Sequence, residues 1–370
     1  VNPHELEELD TAAYAWPANG AEAADAPVAT WKPLDLAGYL NGTIQPAQAR
    51  LMARTDGVHL LYPGHVHSVA GESESGKSML MLAVVVETIA AGGRVLFIDY
   101  ESDPATVVDR LVKMGANPSE LADHLDYVQP QTDPVNGPYL EASAWSAVKA
   151  TRYELAVLDG VTEALSVSGV ASIDNDEVTG WIRRVPRALA RSTGAAVVLV
   201  DHVTKSSEGR GRFAIGAQSK LSALDGAAFI VEPLAPLGVG MCGRLAVRVG
   251  KDRPGRIRGH GGAWRKSDRT QAVAVAVIDS TDPARIVYTL EPPAREVEPE
   301  AHAVQVEEER RAAVLAWVRD CPSPPSLNGI LAAVPGRKQD TVATVRELVA
   351  AGQIITKPGP NRSTLHLIPS

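Results

Sequence analysis

Gly71-Glu72-Ser73-Glu74-Ser75-Gly76-Lys77-Ser78 follows directly on the apolar run from His65 to Ala70 and spells G-x-x-x-x-G-K-S. A strand that ends in such a loop and continues as a helix makes a phosphate cradle. The glycines let successive backbone N–H groups turn inward, and the N-terminal end of the helix adds partial positive charge. The pattern assigns Lys77 to the β/γ-phosphates and Ser78 to Mg²⁺, which takes few protein ligands and keeps most of its water. Gly71, Ser73, Glu74, Ser75, Gly76, Lys77, Ser78 and Met79 are the expected nucleotide contacts, with ATP and Mg²⁺ as cofactors. Glu72 and Glu74 are unusual here, because a carboxylate beside a polyphosphate repels it unless the side chain points outward.

Outward from this loop, apolar strands alternate with helices. The residues from Lys77 to Ala91 predict a helix closed by Gly92-Gly93, and Arg94 to Tyr100 predict a strand. Further strands are expected over Leu155 to Asp159 and Ala195 to Asp201, with a weak one near Tyr127-Val128. Helices are expected over 106–114, 142–150 and 176–191. Strands apolar on both faces and separated by helices mean a parallel sheet covered on both sides, an α/β fold. From Gly226 the pattern changes to strands with little helix, over 227–231, 245–249, 272–278 and 286–290. These predict antiparallel strands extending one edge of the sheet.

The flanks differ in character. Residues 1–32 carry six acids and no base before Lys32, without periodicity, which reads as an acidic disordered tail. Residues 33–62 read as an N-terminal arm, 63–290 as the core, and 291–304 as a proline- and glutamate-rich linker. In residues 305–370 three amphipathic helices and a hairpin are expected, the element order of a winged helix-turn-helix. Arg337 and Lys338 at its third helix, and Lys357 and Arg362 in its wing, stand where DNA readers place contacts. Docking to replication proteins is an equal reading of this segment.

Composition narrows the classes. The net charge of −8 over 370 residues argues against a generally nucleic-acid-coating surface. Residues 241–270, by contrast, hold nine bases against two acids, an excess that implies an anionic partner. Cys242 and Cys321 have no metal spacing and read as incidental reduced thiols. No apolar run approaches membrane-spanning length and no leader is apparent, so the chain is expected in the cytoplasm, away from membranes.

A nucleotide cradle needs a second acid for the metal, and the strand ending Leu158-Asp159 supplies Asp159. Glu101, beyond the strand after the first helix, is the candidate base for water. In Ile98-Asp99-Tyr100-Glu101-Ser102 it resembles the strand-end catalytic glutamate of RecA-fold hexameric helicases, the RepA-like and DnaB-type replicative ATPases. Val198-Leu199-Val200-Asp201-His202 is similar to their segment carrying a γ-phosphate-sensing glutamine or histidine. Gly250-Lys251-Asp252-Arg253-Pro254-Gly255 is similar to their K-x-R-x-G segment, in which lysine and arginine reach a neighbouring subunit's ATP. RadA-type recombination ATPases carry a similar segment.

The resemblance covers about residues 58–290 and implies a RecA-like P-loop core with a mainly parallel sheet. It implies an ATP-hydrolysing ring, expected to be hexameric, that translocates on or unwinds DNA in replication. It assigns catalytic roles to Lys77, Glu101, His202, Lys251 and Arg253, and single-stranded DNA contacts to Lys205, Arg210, Arg212 and Lys220. Each landmark also has a structural reading: Glu101 as a strand-end ion pair, His202 as a core histidine, Lys251 and Arg253 as a solvated pair. The chain departs from the DnaB-type pattern in lacking an N-terminal helical domain and in its expected winged helix. A RadA-like recombination ATPase and an ATP-controlled DNA-binding switch therefore stand as alternatives.

Overall fold

The computed structural model describes residues 31, 33–203, 218–294, 299–335, 337–360 and 363–369. The chain divides into two units, Val1–Pro46 and Ala47–Ser370. In the first, the described part contains the short helix α1 (Ala37–Leu40), whose first amide is capped by Asp35 Oδ1 at 2.9 Å. The division falls inside the expected 33–62 arm. Its second half belongs to the larger unit, where Met52, Leu60, Leu61 and Tyr62 are fully buried.

The larger unit opens with β1 (Leu51–Ala53) and β2 (His59–Leu61), which pair antiparallel. An alternating series follows: β3 (Val66–Gly71), α2 (Lys77–Ala90), β4 (Val95–Asp99), α3 (Pro104–Lys113), α4 (Pro118–His124), β5 (Leu125–Val128), α5 (Tyr139–Ala150) and β6 (Leu155–Asp159). Then come α6 (Val161–Val167), α7 (Asn175–Arg184), α8 (Pro186–Thr193), β7 (Ala196–His202) and α9 (Gln218–Ala223). The strand-rich part is β8 (Ala227–Ala235), β9 (Cys242–Asp252), β10 (Trp264–Arg265), β11 (Thr270–Asp279) and β12 (Val287–Glu291).

One ten-stranded sheet results, in the order β10-β11-β9-β8-β3-β7-β6-β4-β5, with β12 on β11. The strands from β8 to β5 in that order are parallel, and β9 to β12 add antiparallel pairs beyond β8. Alternation along each strand sorts side chains between two cores. Val95 and Phe97 pack with Leu80, Val84 and Leu111 on one face, while Leu96 and Ile98 pack with Leu165, Trp181 and Leu189 on the other. The fold is thus an α/β core with a large, mostly parallel mixed sheet.

Two expectations about helices need correction. The single helix expected over 176–191 is two, α7 and α8, because Pro186 lacks an N–H and disfavours helical geometry at Val185, whose φ and ψ are −108° and −81°. The segment expected as a linker over 291–304 contains the start of α10 (Pro299–Asp320). After α10 come α11 (Leu327–Ala333), capped by Ser326, then α12 (Lys338–Ala350) and a hairpin of β13 (Ile355–Pro358) with β14 (Thr364–Leu367). These elements share a small core of Val314, Val318, Ile330, Val334, Val345, Leu348 and Ile354. Cys242 and Cys321 are both free thiols.

His67, the second residue of β3, is fully buried and stitches three segments together. Its Nδ1 accepts from the Ala227 amide at 3.0 Å, and its Nε2 lies 3.0 Å from the Tyr62 carbonyl. Gly226 is required beside it, since a Cβ there would stand 2.5 Å from the ring. Burial depresses the imidazole from its usual 6.5 to about 4. The unfolded chain therefore takes up a proton below about pH 6.5 that the folded chain refuses until about 4, and stability falls as pH drops through that window. The loss expected from this one group is up to about 3 kcal/mol. Urea midpoints measured from pH 7 to 4 should show the decline, and a His67→Asn variant should show a flatter profile.

Candidate functional site

Strand register brings the candidate residues together. Gly71 at the end of β3 stands opposite His202 on β7 and Val231 on β8, while Asp159 on β6 stands opposite Val200 on β7 and Asp99 on β4. The carboxyl ends of four adjacent strands therefore present Gly71, His202, Asp159 and Asp99 along one edge. In open parallel sheets ligands bind in the crevice outside that edge.

The loop between β3 and α2 is held in shape by close approaches. Gly76 has φ +84°, and a Cβ there would stand 2.8 Å from Leu245 Cδ1. Glu74 adopts φ +61° without being glycine, a conformation that costs about 1–3 kcal/mol. Its side chain is exposed, as a carboxylate in a phosphate loop requires. Lys77 is 5% exposed, and its Nζ donates to the carbonyls of Gly71 at 3.1 Å and Glu72 at 2.7 Å. Burial lowers the Lys77 ammonium below its usual range, opposed by Glu101, Asp159 and Asp201.

Ser78 Oγ donates to Asp159 Oδ1 at 3.2 Å. Asp159 is 3% exposed, and burial lifts its carboxyl to about 6, with Ser78 acting in the opposite direction and Glu101 and Asp99 adding to the rise. A hydroxyl and a carboxylate this close are hard oxygen donors of the kind Mg²⁺ prefers. Among the described residues no group of three or more His, Cys, Asp or Glu could hold an ion unaided. Ser78 and Asp159 thus fit Mg²⁺ that takes its other ligands from phosphate oxygens and water.

Glu101 is placed by Asp99, Tyr127 and Gly160, residues to which the sequence assigned no role. Asp99 Oδ1 accepts from the amides of Glu101 at 2.9 Å and Ser102 at 2.8 Å, and Tyr127 donates its hydroxyl to Asp99 Oδ2. Gly160, at φ +94°, lies under the Glu101 side chain, since a Cβ there would stand 2.8 Å from Glu101 Cγ. Burial and then the neighbouring Glu163 raise the Glu101 carboxyl, and His202 opposes that rise. His202 Nε2 lies 3.3 Å from Glu101 Oε1. A carboxylate with raised proton affinity beside an imidazole suits proton transfer from an attacking water. The available signal for Glu163 was its position in the first turn of the helix after Asp159-Gly160.

These groups face a cavity of about 1010 Å³. Residues Ser73 to Met79 line it together with Glu101, Asp159, Glu163 and His202 and with Thr106, Asp109, Arg110 and Lys113 of α3. Leu237, Val239, Ile278, Pro283 and Ile286 add apolar lining. The volume and mixed lining suit a nucleotide, with phosphates at the loop and a base against apolar lining.

Other expected site residues lie elsewhere. Ala228 is level with Ser68 on β3 and with Lys251 on β9, so Lys251 and Arg253 sit at the opposite edge of the sheet from Gly71. At about 3.3 Å per residue, Arg253 is more than about 13 Å along the strands from its own loop. Its side chain is exposed, and its amide donates to Gly226 O. Lys251 Nζ instead donates to the carbonyls of Leu221 at 2.6 Å, Ser222 at 3.1 Å and Leu224 at 2.7 Å, closing the C-terminal end of α9.

Lys220, expected on a DNA surface, is 7% exposed and bonds Asp201 Oδ2 at 2.8 Å. Arg337, Lys338 and Lys357 are exposed. Lys205, Arg210, Arg212 and Arg362 lie outside the described residues.

Part of the basic excess of residues 241–270 is taken up within the fold. Arg248 is 9% exposed and bonds Thr270, and Arg265 pairs with Glu232 and Asp268. Arg244 lies 3.7 Å from Glu291. Arg244, Arg253, Arg256, Lys266 and Arg269 are exposed.

Residues 40–208 match a family model described as an AAA domain. No curated protein matches the chain. The match spans the phosphate loop, Glu101, Asp159 and His202, and ends before Arg253. Among the described residues no helix is long and apolar enough to cross a membrane. The match, the loop and the mixed sheet together support a P-loop ATPase. Glu101→Gln should lower kcat by about 10²- to 10⁴-fold with little change in nucleotide affinity. Gly160→Ala should do the same to a lesser degree by displacing that side chain. Steady-state hydrolysis and binding of a fluorescent ATP analogue check both.

Proposed function

We propose that the chain is a Mg²⁺-ATP-dependent motor that assembles as a ring, hexameric as in the ATPases it resembles, and moves on or unwinds DNA during replication. The observation that carries this reading is Arg253, exposed at the sheet edge opposite the chain's own phosphate loop and beyond its reach. A cation so placed serves a γ-phosphate only across an interface between copies, and such an arginine contributes about 10³- to 10⁵-fold in rate. Lys77 and Ser78 would hold phosphate and metal, Asp159 would order the metal's water, and Glu101 beside His202 would accept the proton of the attacking water. When bound, the metal would neutralise charge on the β- and γ-oxygens.

The arrangement gives a test that separates neighbours. Lys77→Ala destroys a loop but leaves Arg253 intact, whereas Arg253→Ala does the reverse. Each variant alone should be nearly inactive, and a mixture should regain part of the activity because some interfaces combine an intact loop with an intact arginine. Normal hydrolysis by Arg253→Ala, or a mixture as silent as its parts, would overturn the assignment.

A second reading, the ATP-controlled DNA-binding switch, is favoured by the C-terminal segment. The order of helices and hairpin, with a bridge between Ser326 and Leu365, supports a winged helix. Asp340 and Glu347 of α12 lie 3.8 Å from Arg310 and 3.4 Å from Arg311 of α10, so two acids of the helix face cations of their own chain. Arg337 and Lys338 at its start remain exposed, which suits phosphate contacts. Removal of residues 299–370 discriminates between the readings. A motor keeps ATP hydrolysis stimulated by single-stranded DNA and weakened by salt, whereas a switch loses DNA binding.

A further inference from the structure

Asp201 is buried at the end of β7 and divides its two oxygens between two elements. Oδ1 accepts from the His202 amide at 2.8 Å, and Oδ2 accepts from Lys220 Nζ on α9 at 2.8 Å. The two side chains are only 3% and 9% exposed. Around them lie Ala70, Leu199, Leu224 and Ile230, apolar groups that add nothing to the solvation of an ion pair. Desolvation makes such a pair a poor source of stability, since apolar residues of similar volume often do as well or better. Fixing a geometry is a use that apolar residues would not reproduce.

The geometry fixed is that of His202. Its amide is held by Asp201, and its Nε2 stands 3.3 Å from Glu101 Oε1, on the cavity that also contains Lys77 and Ser78. The helix supplying Lys220 is itself anchored, because Lys251 donates to three carbonyls at its C-terminal end. We propose that Lys220 is a positioning residue for ATP hydrolysis, holding His202 against Glu101 through Asp201. α9 is then the brace of the catalytic base, and Lys220 acts through Asp201 rather than on the nucleotide. This inference rests on the ATPase reading and deepens it.

The test compares Lys220→Met, Lys220→Arg and the paired variant Asp201→Asn/Lys220→Met by single-turnover hydrolysis, fluorescent-nucleotide binding and thermal melting. The paired variant guards against misfolding: it removes both charges, and the asparagine amide oxygen still accepts from His202 N–H. Lys220→Met and the paired variant should hydrolyse about 10- to 100-fold more slowly with nucleotide affinity changed less than about threefold, and Lys220→Arg should recover most of the rate. In a His202→Ala background the paired variant should cause no further loss, since residues acting as a unit are not additive.

An unchanged rate in the paired variant, a loss of rate that tracks affinity and melting temperature, or losses that multiply with His202→Ala would overturn the proposal. Failure of the ATPase reading is separately visible, because Lys77→Ala would then hydrolyse ATP like the unmodified chain.

Discussion

The structure depends on the parallel pairing of β3 between β7 and β8. That pairing sets Gly71 level with His202 on one side and Val231 on the other, and the β7–β6 and β6–β4 registers carry the alignment on to Asp159 and Asp99. A slip of one residue in any of these pairs would exchange the faces of a strand and break both cores at once, which is why the register is strongly specified. His67 reinforces the same strand from within, using one ring nitrogen on the backbone of Tyr62 five residues before it and the other on the amide of the distant Ala227.

The edge so built is crowded with carboxylates. Asp99, Glu101, Asp159 and Glu163 gather close to the buried Lys77, and burial raises both Asp159 and Glu101. The arrangement is tolerable because each acid has a different role in the hydrogen bonding. Asp99 spends its oxygens on two amides and a phenol, Asp159 accepts from Ser78, and Glu101 faces His202. A divalent cation and a polyphosphate bring charges of both signs, so the acids and the cradle suit their joint arrival better than either alone.

Cations were the part of the sequence most easily misread. Lys220 and Lys251 stand in segments that look made for DNA or for a neighbour's phosphate, yet one completes a buried ion pair and the other closes the end of a helix. In the run of bases from 241 to 270, Arg248 and Arg265 are similarly taken up by Thr270, Glu232 and Asp268, whereas Arg253, Arg256, Lys266 and Arg269 stay exposed. A count of charges along a chain says nothing about partners that arrive from distant strands. Asp201, for instance, is nineteen positions from Lys220 and is brought to it only by β7 and α9 packing.

Local chemistry was legible in the sequence wherever one stretch carries the whole signal. The loop from Gly71 to Ser78, the apolar parallel strands, the antiparallel strands from β9 onward and the acid closing β6 all rest on neighbours along the chain, since propensity, periodicity and turn chemistry act over a few residues. β8, expected among the antiparallel strands, instead pairs parallel with β3. Only the tertiary structure decided which distant groups share a contact. It placed Asp99 under Glu101, Gly160 beneath the same side chain, and Lys220 against Asp201. It also put Arg253 at the opposite sheet edge from its own phosphate loop. Strand order and register set those relations through the packing of two cores, and no local pattern in the sequence encodes them.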